Sequence, residues 1–315
     1  MNWRATAADW LARTLEPTLP ATAVLAAVTA DDGGYAVKLS DSCPLNGRFE
    51  MGSITKTMTS VVLAALAQAR VVDLTDEIGR WIDAGRNSDI TLIQLATHTS
   101  GLPRLAPGRQ RADADPYAYL TPEVAERELR AVRRRPGGQD WNYSNFGFQV
   151  LSLALERAAN APFPVLLQRH VFDPLAMTCS GVAGYGDGDR LQGHLHGRPV
   201  GGWTFRLCGA GGVEASAEDM ARYLAACLRP PDSPVGRAIQ LTQRAFHSID
   251  SQRAAGLGWV IGPPGYLGHD GGTAGFRSML GLRLPAGRAA AVFASDRAAR
   301  GLGPAVRESL DRDPP

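Results

Sequence analysis

Apolar and polar positions follow several rhythms along the chain, and the change from one to the next outlines the fold. Thr6 to Leu15 carries apolar residues at helical spacing, which predicts a short amphipathic helix. TAVLAAVTA (22–30), the turn residues Asp31-Asp32-Gly33-Gly34 and YAVKL (35–39) then predict a strand, a tight turn and a second strand. From Ser53 the run SITKTMTSVVLAALAQA predicts a helix that is apolar on nearly every side after a polar first turn, so it belongs between layers and not on the surface. The stretch from about 76 to 200 reads as mostly helical or irregular, with a polar span at 121–135 and a second apolar helix from Phe148 to Ala159. Beyond Phe205 short β-like runs return, GLGWVIG, YLGHD, SMLGLRLP and AAAVFAS, before a closing helix near 302–311. The simplest arrangement of this order is an α+β fold: an antiparallel sheet made from both chain ends and flanked by the terminal helices, with a mainly helical domain inserted. Residues 1–75 and 205–315 would form the sheet domain and 76–204 the helical one, with an active site between them.

Composition narrows the function. The 315 residues are 44% apolar and 20% charged, with 33 basic against 31 acidic side chains, which excludes a disordered chain and gives no electrostatic footprint for nucleic acid. The longest central apolar run, Val61 to Ala67, stops at Gln68, far short of a membrane span. The N-terminus has Asp9 and Glu16 where a secretory signal needs an unbroken apolar segment, so a cytoplasmic protein is expected. Cys43, Cys179, Cys208 and Cys227 form no CxxC and are expected to be free thiols, not disulfides or zinc ligands. Only Lys38 and Lys56 are lysine, the other 31 basic residues being arginine, and neither lysine sits in a Walker A loop. HExxH and GxSxG are also absent, which removes the zincins and the α/β-hydrolase elbow.

Three short motifs carry chemistry. Ser53-Ile54-Thr55-Lys56 places a hydroxyl and an amine three residues apart at a helix start, on one face, as a nucleophile and its base require. A lysine buried there would have a lowered pKa and could accept a proton, whereas a lysine snorkelling from the helix end would do neither. Tyr143-Ser144-Asn145 lies after the breaker Pro136-Gly137-Gly138 and just before the second apolar helix, where Asn145 could otherwise serve as an N-cap and Tyr143 as a core tyrosine. SxxK and YxN together arise by chance in on the order of one such sequence in a hundred. The third is His269-Asp270-Gly271-Gly272-Thr273, on or leaving a strand, whose glycines would let a substrate lie against the backbone and receive an N–H hydrogen bond.

Taken with FEMGSITKT, LATHTSGLP (95–103), PGGQDWNYSNFGFQVL (136–151), FDPLAM (172–177), GAGGVEAS (209–216) and LGHDGGTAGF (267–276), these motifs resemble the serine β-lactamase-like enzymes, in the branch of class C β-lactamases, D-alanyl-D-alanine carboxypeptidases and esterases. The resemblance covers about 250 residues, with all three motifs in family order. It implies a β-lactamase/transpeptidase-like fold, Ser53 as the acylated nucleophile, Lys56 as its base or proton shuttle and Tyr143 as the second acid/base. Asn145 would hold the lysine and a substrate amide, and the N–H groups of Ser53 and Gly272 would form the oxyanion hole beside Gly271. One departure stands out: His269 occupies the place of the lysine in the KTG motif, as in esterase and aminopeptidase branches. Histidine is mostly neutral near pH 7, which weakens binding of penicillin-like acids.

The expected activity is acyl transfer from a small-molecule ester or amide through a Ser53 acyl-enzyme. Release to water would make an esterase or amidase, and release to an amine acceptor a transacylase, as relatives in antibiotic-type biosynthesis are. A β-lactamase or D-alanyl peptidase is the alternative, and a catalytically silent binding protein on the same scaffold is the alternative of another class. No metal, cofactor, nucleic-acid or membrane partner is expected. Trp203 and Phe205 are candidates for the pocket lining, with a core role as the competing reading; His98 reads as structural, His194-Leu195-His196 as a surface turn, Gly184 to Gly188 as a loop, and Arg133 to Arg135 as a solvated helix end.

Overall fold

The computed structural model describes residues 2–108, 115–134, 140–182 and 189–312. In chain order the elements are α1 (Trp3–Leu15), β1 (Leu25–Asp31), β2 (Gly34–Leu39), β3 (Arg48–Glu50), α2 (Thr55–Gln68), α3 (Leu92–Ala96), α4 (Pro122–Ala131), α5 (Asn145–Ala159) and α6 (Phe163–Leu167). They continue with β4 (Ser180–Val182), β5 (His194–Leu195), β6 (Arg198–Pro199), β7 (Val213–Ser216), α7 (Ala217–Leu228), α8 (Pro234–Thr242), β8 (His247–Ser248), β9 (Ala254–Ala255), β10 (Val260–Gly262), β11 (Tyr266–Gly272), β12 (Arg277–Arg283), β13 (Arg288–Ala294) and α9 (Leu302–Asp311).

The large sheet has eight antiparallel strands in the order β2-β1-β13-β12-β11-β10-β9-β8. The early hairpin therefore docks on the last strand of the chain, with Val28 opposite Ala291. Both faces are covered, which explains why β1 and β13 read as continuous apolar runs without alternation. Along β13, Ala290, Val292 and Ala294 join Leu11, Leu15, Val306 and Leu310 of α1 and α9. Ala289, Ala291 and Phe293 face the opposite core with α2, α5, α7 and α8. This is an α+β fold with a large antiparallel sheet and flanking helices, consistent with the β-lactamase/transpeptidase architecture. Among the described residues no single helix is long and apolar enough to cross a membrane.

Several local expectations are corrected. The apolar helix expected from Phe148 starts at Asn145, because Ser144 is the N-cap: its Oγ accepts from Gly147 N at 2.8 Å. Asn145 is thus the first helical residue and not the cap. Arg133 and Arg134 lie beyond the C-cap Val132 of α4, and Arg134 pairs with Asp89 at 2.6 Å in place of serving the helix end; Arg135 is outside the described residues. The stretch expected to be helical or irregular also contributes β4 to a small sheet, β3-β7-β4. His194 is buried in the β5–β6 hairpin, with Nδ1 3.0 Å from Ser295 O, so that turn is exposed only in part. Pro136 to Gly138 and Gly184 to Gly188 fall outside the described residues. All four cysteines are free thiols, with Cys43, Cys208 and Cys227 buried.

Helix α2, whose first turn carries Lys56, is fixed partly by one glycine. Gly258 has φ +72°, donates its N–H to Ala96 O at 2.9 Å, and lies so close to α2 that a Cβ would sit 2.6 Å from Lys56 O and 2.7 Å from Ser60 Oγ. Gly258→Ala is expected to cost about 2–4 kcal/mol through left-handed backbone strain and overpacking. Urea unfolding followed by circular dichroism checks this; a midpoint equal to wild type would contradict it.

Candidate active site

The SxxK motif sits where β3 runs out of the small sheet into a single 3-10 turn, Gly52–Ile54, and then into α2. Gly52 makes that junction possible. Its φ is +52°, and a Cβ there would lie 2.6 Å from Gly272 N. A Cβ on Gly271 would lie 2.2 Å from Met51 O and 3.2 Å from Ser53 N. Strand β11 and the serine turn thus meet backbone to backbone, with the N–H-bearing atoms of Ser53 and Gly272 at the same seam.

Lys56 follows in the first turn of α2 and is fully buried. Its Nζ is 3.0 Å from Ser53 Oγ in a hydrogen bond and donates to Ala210 O at 2.6 Å. The polar character of this first turn has a packing reason. Thr55 Oγ1 accepts from Val213 N at 3.1 Å and Thr59 Oγ1 donates to Gly209 O at 2.8 Å, so with Lys56 the helix is stitched to the Gly209–Val213 segment. Desolvation holds the Lys56 pKa well below the ordinary lysine value, the Arg104 charge adds to the depression, and Asp270 opposes it.

Tyr143 closes over the amine, with Lys56 Nζ 5.0 Å from its ring centroid. His98 holds the loop that carries it. His98 is buried at φ +61°, its Nδ1 accepts from Ser144 N at 3.1 Å, its carbonyl accepts from Asn142 N at 2.8 Å, and its ring lies 4.5 Å from that of Tyr143. A ring nitrogen that accepts is unprotonated, in keeping with the burial that depresses the His98 pKa. Burial also raises the phenol pKa of Tyr143, against a smaller opposing effect of the Ser53 hydroxyl. His269, on β11, is buried beside these groups at 6.1 Å from the Tyr143 ring, and desolvation together with Lys56 pushes its pKa down, so the imidazole is neutral at pH 7.

Asn145 departs from what the resemblance implied. It makes no hydrogen bond to Lys56: Nδ2 donates to Tyr117 Oη at 2.8 Å, and the buried Oδ1 has no partner among the described residues. Ala210 O takes the role of holding the lysine. Tyr117 stacks on Phe205 at 4.4 Å and meets Trp203 edge-on at 5.3 Å, so Trp203 and Phe205 form one aromatic wall with a residue that adjoins Asn145. Ser53, Lys56, Tyr143, Asn145, His269, Gly271 and Gly272 are therefore brought together, with Trp203 and Phe205 at the margin. Tyr117 carries no motif signal, being one of seven tyrosines in an irregular segment, and Ala210 contributes only a carbonyl, which no side-chain pattern announces. Among the described residues no group of three or more His, Cys, Asp or Glu could hold a metal ion.

The sequence profile of the Beta-lactamase family matches residues 13–308. The chain is similar to the D-alanyl-D-alanine-carboxypeptidase/endopeptidase AmpH of Escherichia coli (strain K12), 28% identical over 264 residues that span 76% of this chain and 68% of that protein. It is also similar to a beta-lactamase of Yersinia enterocolitica, 26% identical over 72% of this chain and 60% of that one. A beta-lactamase of Escherichia coli (strain K12) is 28% identical over 68% of this chain and 57% of the relative.

The depressed Lys56 pKa has a measurable consequence. The unfolded chain keeps that proton up to about pH 10.4, whereas the folded chain has released it lower down. Between the two pKa values the unfolded state binds more protons, so the lysine's contribution to stability rises with pH. In paired urea titrations of wild type and Lys56→Met, the difference is expected to move in favour of wild type as pH goes from 7 to 10. A slope of the opposite sign would mean that Lys56 is not neutral in the fold.

Proposed function

Because the chain belongs to the beta-lactamase family of serine hydrolases, we propose that it cleaves a small ester or amide through an acyl-enzyme on Ser53. The observation that carries this reading is the 3.0 Å contact between Ser53 Oγ and the Nζ of a lysine sealed from water. A neutral amine there takes the hydroxyl proton as Oγ attacks the substrate carbonyl carbon. The N–H groups of Ser53 and Gly272 receive the charge that develops on the carbonyl oxygen, an effect worth roughly a hundredfold or more in rate.

The opposed shifts of the two remaining groups divide the work between acid and base. Tyr143, its pKa raised, rests as a neutral phenol and is suited to hand a proton to the departing alkoxide or amine while recovering one from the Lys56 ammonium. Collapse of the tetrahedral intermediate then breaks the bond to the leaving group. The acyl group remains on Ser53 until water or an amine attacks it, with the same groups used in reverse. Asn145 Oδ1, buried and without a partner among the described residues, is suited to accept from a donor of the substrate.

A β-lactamase or D-alanyl peptidase reaction is the second reading, and the relatives' names favour it. The neutral His269 speaks for the first, because the fixed cation that would face a carboxylate is missing from that position. Intact mass spectrometry after incubation with a fluorophosphonate, activated esters and penicillins tests both. A single adduct on Ser53 is expected, absent in Ser53→Ala and also in Lys56→Arg, since arginine keeps the charge but cannot deprotonate near neutrality. Undiminished labelling of Ser53→Ala would refute the nucleophile, and no adduct with any reagent would favour a silent scaffold. A penicillin adduct as fast as the ester adduct would favour the second reading.

The acyl acceptor is the remaining choice, and we propose an amine. A positioned amine can reach an effective concentration far above its concentration in solution and so outcompete water. With a good ester donor and a panel of small primary amines, amide product is expected to grow with amine concentration. Purely hydrolytic product across the panel would make the protein a simple esterase.

A further inference from the structure

The charge missing from position 269 reappears elsewhere in the cleft. Arg277 is the cross-strand partner of Gly272, and its Nη1 would lie 3.4 Å from a Cβ on that glycine. Arg297 follows β13 and donates through Nη1 to Thr273 O, one residue beyond Gly272. Its guanidinium stands 5.3 Å from the ring centroid of Trp203, at the end of the aromatic wall that continues through Tyr117 to Asn145. Two cations thus stand where β11 ends, next to the backbone nitrogen assigned above to the oxyanion.

Their surroundings differ from those of the chain's ion-paired arginines. Among the described residues fifteen arginines form ion pairs with Asp or Glu, as Arg283 does with Asp311 and Arg190 with Glu50 and Glu214. Among the described residues neither Arg277 nor Arg297 has an acidic partner. They are instead close enough for the charge of Arg277, after desolvation, to depress the pKa of Arg297. Like charges held together by the fold lower their mutual repulsion when an anion lies between them, and a planar guanidinium with a fixed donor fork suits a carboxylate.

We propose that Arg277 and Arg297 form an anion subsite and that the acyl portion of the donor ends in a carboxylate. The proposal rests on the reading of Ser53 as the acylated residue. An acyl chain whose carbonyl oxygen meets Gly272 N runs past the strand end toward these guanidiniums, with Trp203 covering its methylene groups. Arg104, whose guanidinium lies 5.0 Å from the Tyr143 ring, stands on the side of the proton relay and is not part of this subsite. Loss of the cation at 269 and an acidic substrate are thereby compatible: the charge that selects the substrate has moved from the leaving-group side to the acyl side.

The test compares mono-p-nitrophenyl succinate, glutarate and adipate with their methyl-capped neutral counterparts. For the length that fits, kcat/KM of the acid is expected to exceed that of its neutral partner by roughly tenfold or more, the size of one charge-assisted contact. The ratio should fall toward one in Arg297→Gln and Arg277→Gln together. Calorimetry with the corresponding monoanilides on Ser53→Ala, which cannot be acylated, reads the same preference as binding. Acylation without any preference for the acids, or a preference that survives in the double variant, overturns the anion subsite. Preferential binding of the acid anilide to Ser53→Ala, with no acylation of wild type by any ester, would overturn the acyl-enzyme reading and leave the subsite standing.

Discussion

A buried lysine amine with no ion-pair partner among the described residues is the constraint around which the centre of this fold is arranged. Burial of Lys56 is tolerable only as the neutral amine with its hydrogen-bonding capacity used, and Ser53 Oγ and Ala210 O use it. Ala210 can reach the amine only because Thr55 and Thr59 tie the Gly209–Val213 segment to the same helix turn. That segment continues into β7, which pairs with the β3 strand leading into Ser53. The polar start of an otherwise apolar helix, the glycine-rich segment and the small sheet thus answer one requirement.

The parts of this arrangement that were legible in the sequence are those encoded by side chains in order. The hairpin over residues 25–39, the terminal helices and the last three long strands follow from hydrophobic period and turn residues, because each buries its own side chains. Ser53 with Lys56 was legible for the same reason: three-residue spacing on a helix fixes their distance. Contacts made by backbone atoms or across long separations were not. Nothing in Asn145 indicates that its amide is taken by Tyr117, 28 residues earlier. The left-handed His98, whose ring nitrogen secures Ser144, resembles any histidine in a loop. His194 is hidden in a hairpin by a carbonyl of Ser295, a contact across 101 residues.

Arginine usage follows a similar division between local and distant causes. Most of the paired arginines serve surfaces or helix turns, as in the i,i+4 pair of Arg312 with Glu308, and such pairs contribute little to stability one at a time. Arg190 is different, bridging Glu50 and Glu214 beneath the β3–β7 pairing and so bracing the strand that delivers the serine. With one lysine committed to the cleft and the other at the edge strand β2, long cationic side chains elsewhere are guanidiniums, which do not titrate near neutrality. Where that positive charge reaches the site, as Arg104 does at Lys56, it acts as a constant field and not as a proton acceptor.

The pairing of β1 with β13 also sets an order of events during synthesis. Residues 25–39 leave the ribosome early, yet the edge to which they dock is supplied by residues 288–294, and the strand that meets the Ser53 turn by residues 266–272. Contacts of such separation close slowly, since the entropy of the intervening loop is lost before any burial compensates. Until then the hairpin offers an unpaired edge and α2 an apolar surface, both prone to association with other chains. A growing chain of this design cannot acquire its reactive centre in stages. On the reading of Ser53 proposed above, the backbone seam beside it closes only when residues 266–272 have been made, so a half-built chain has no assembled site to be acylated.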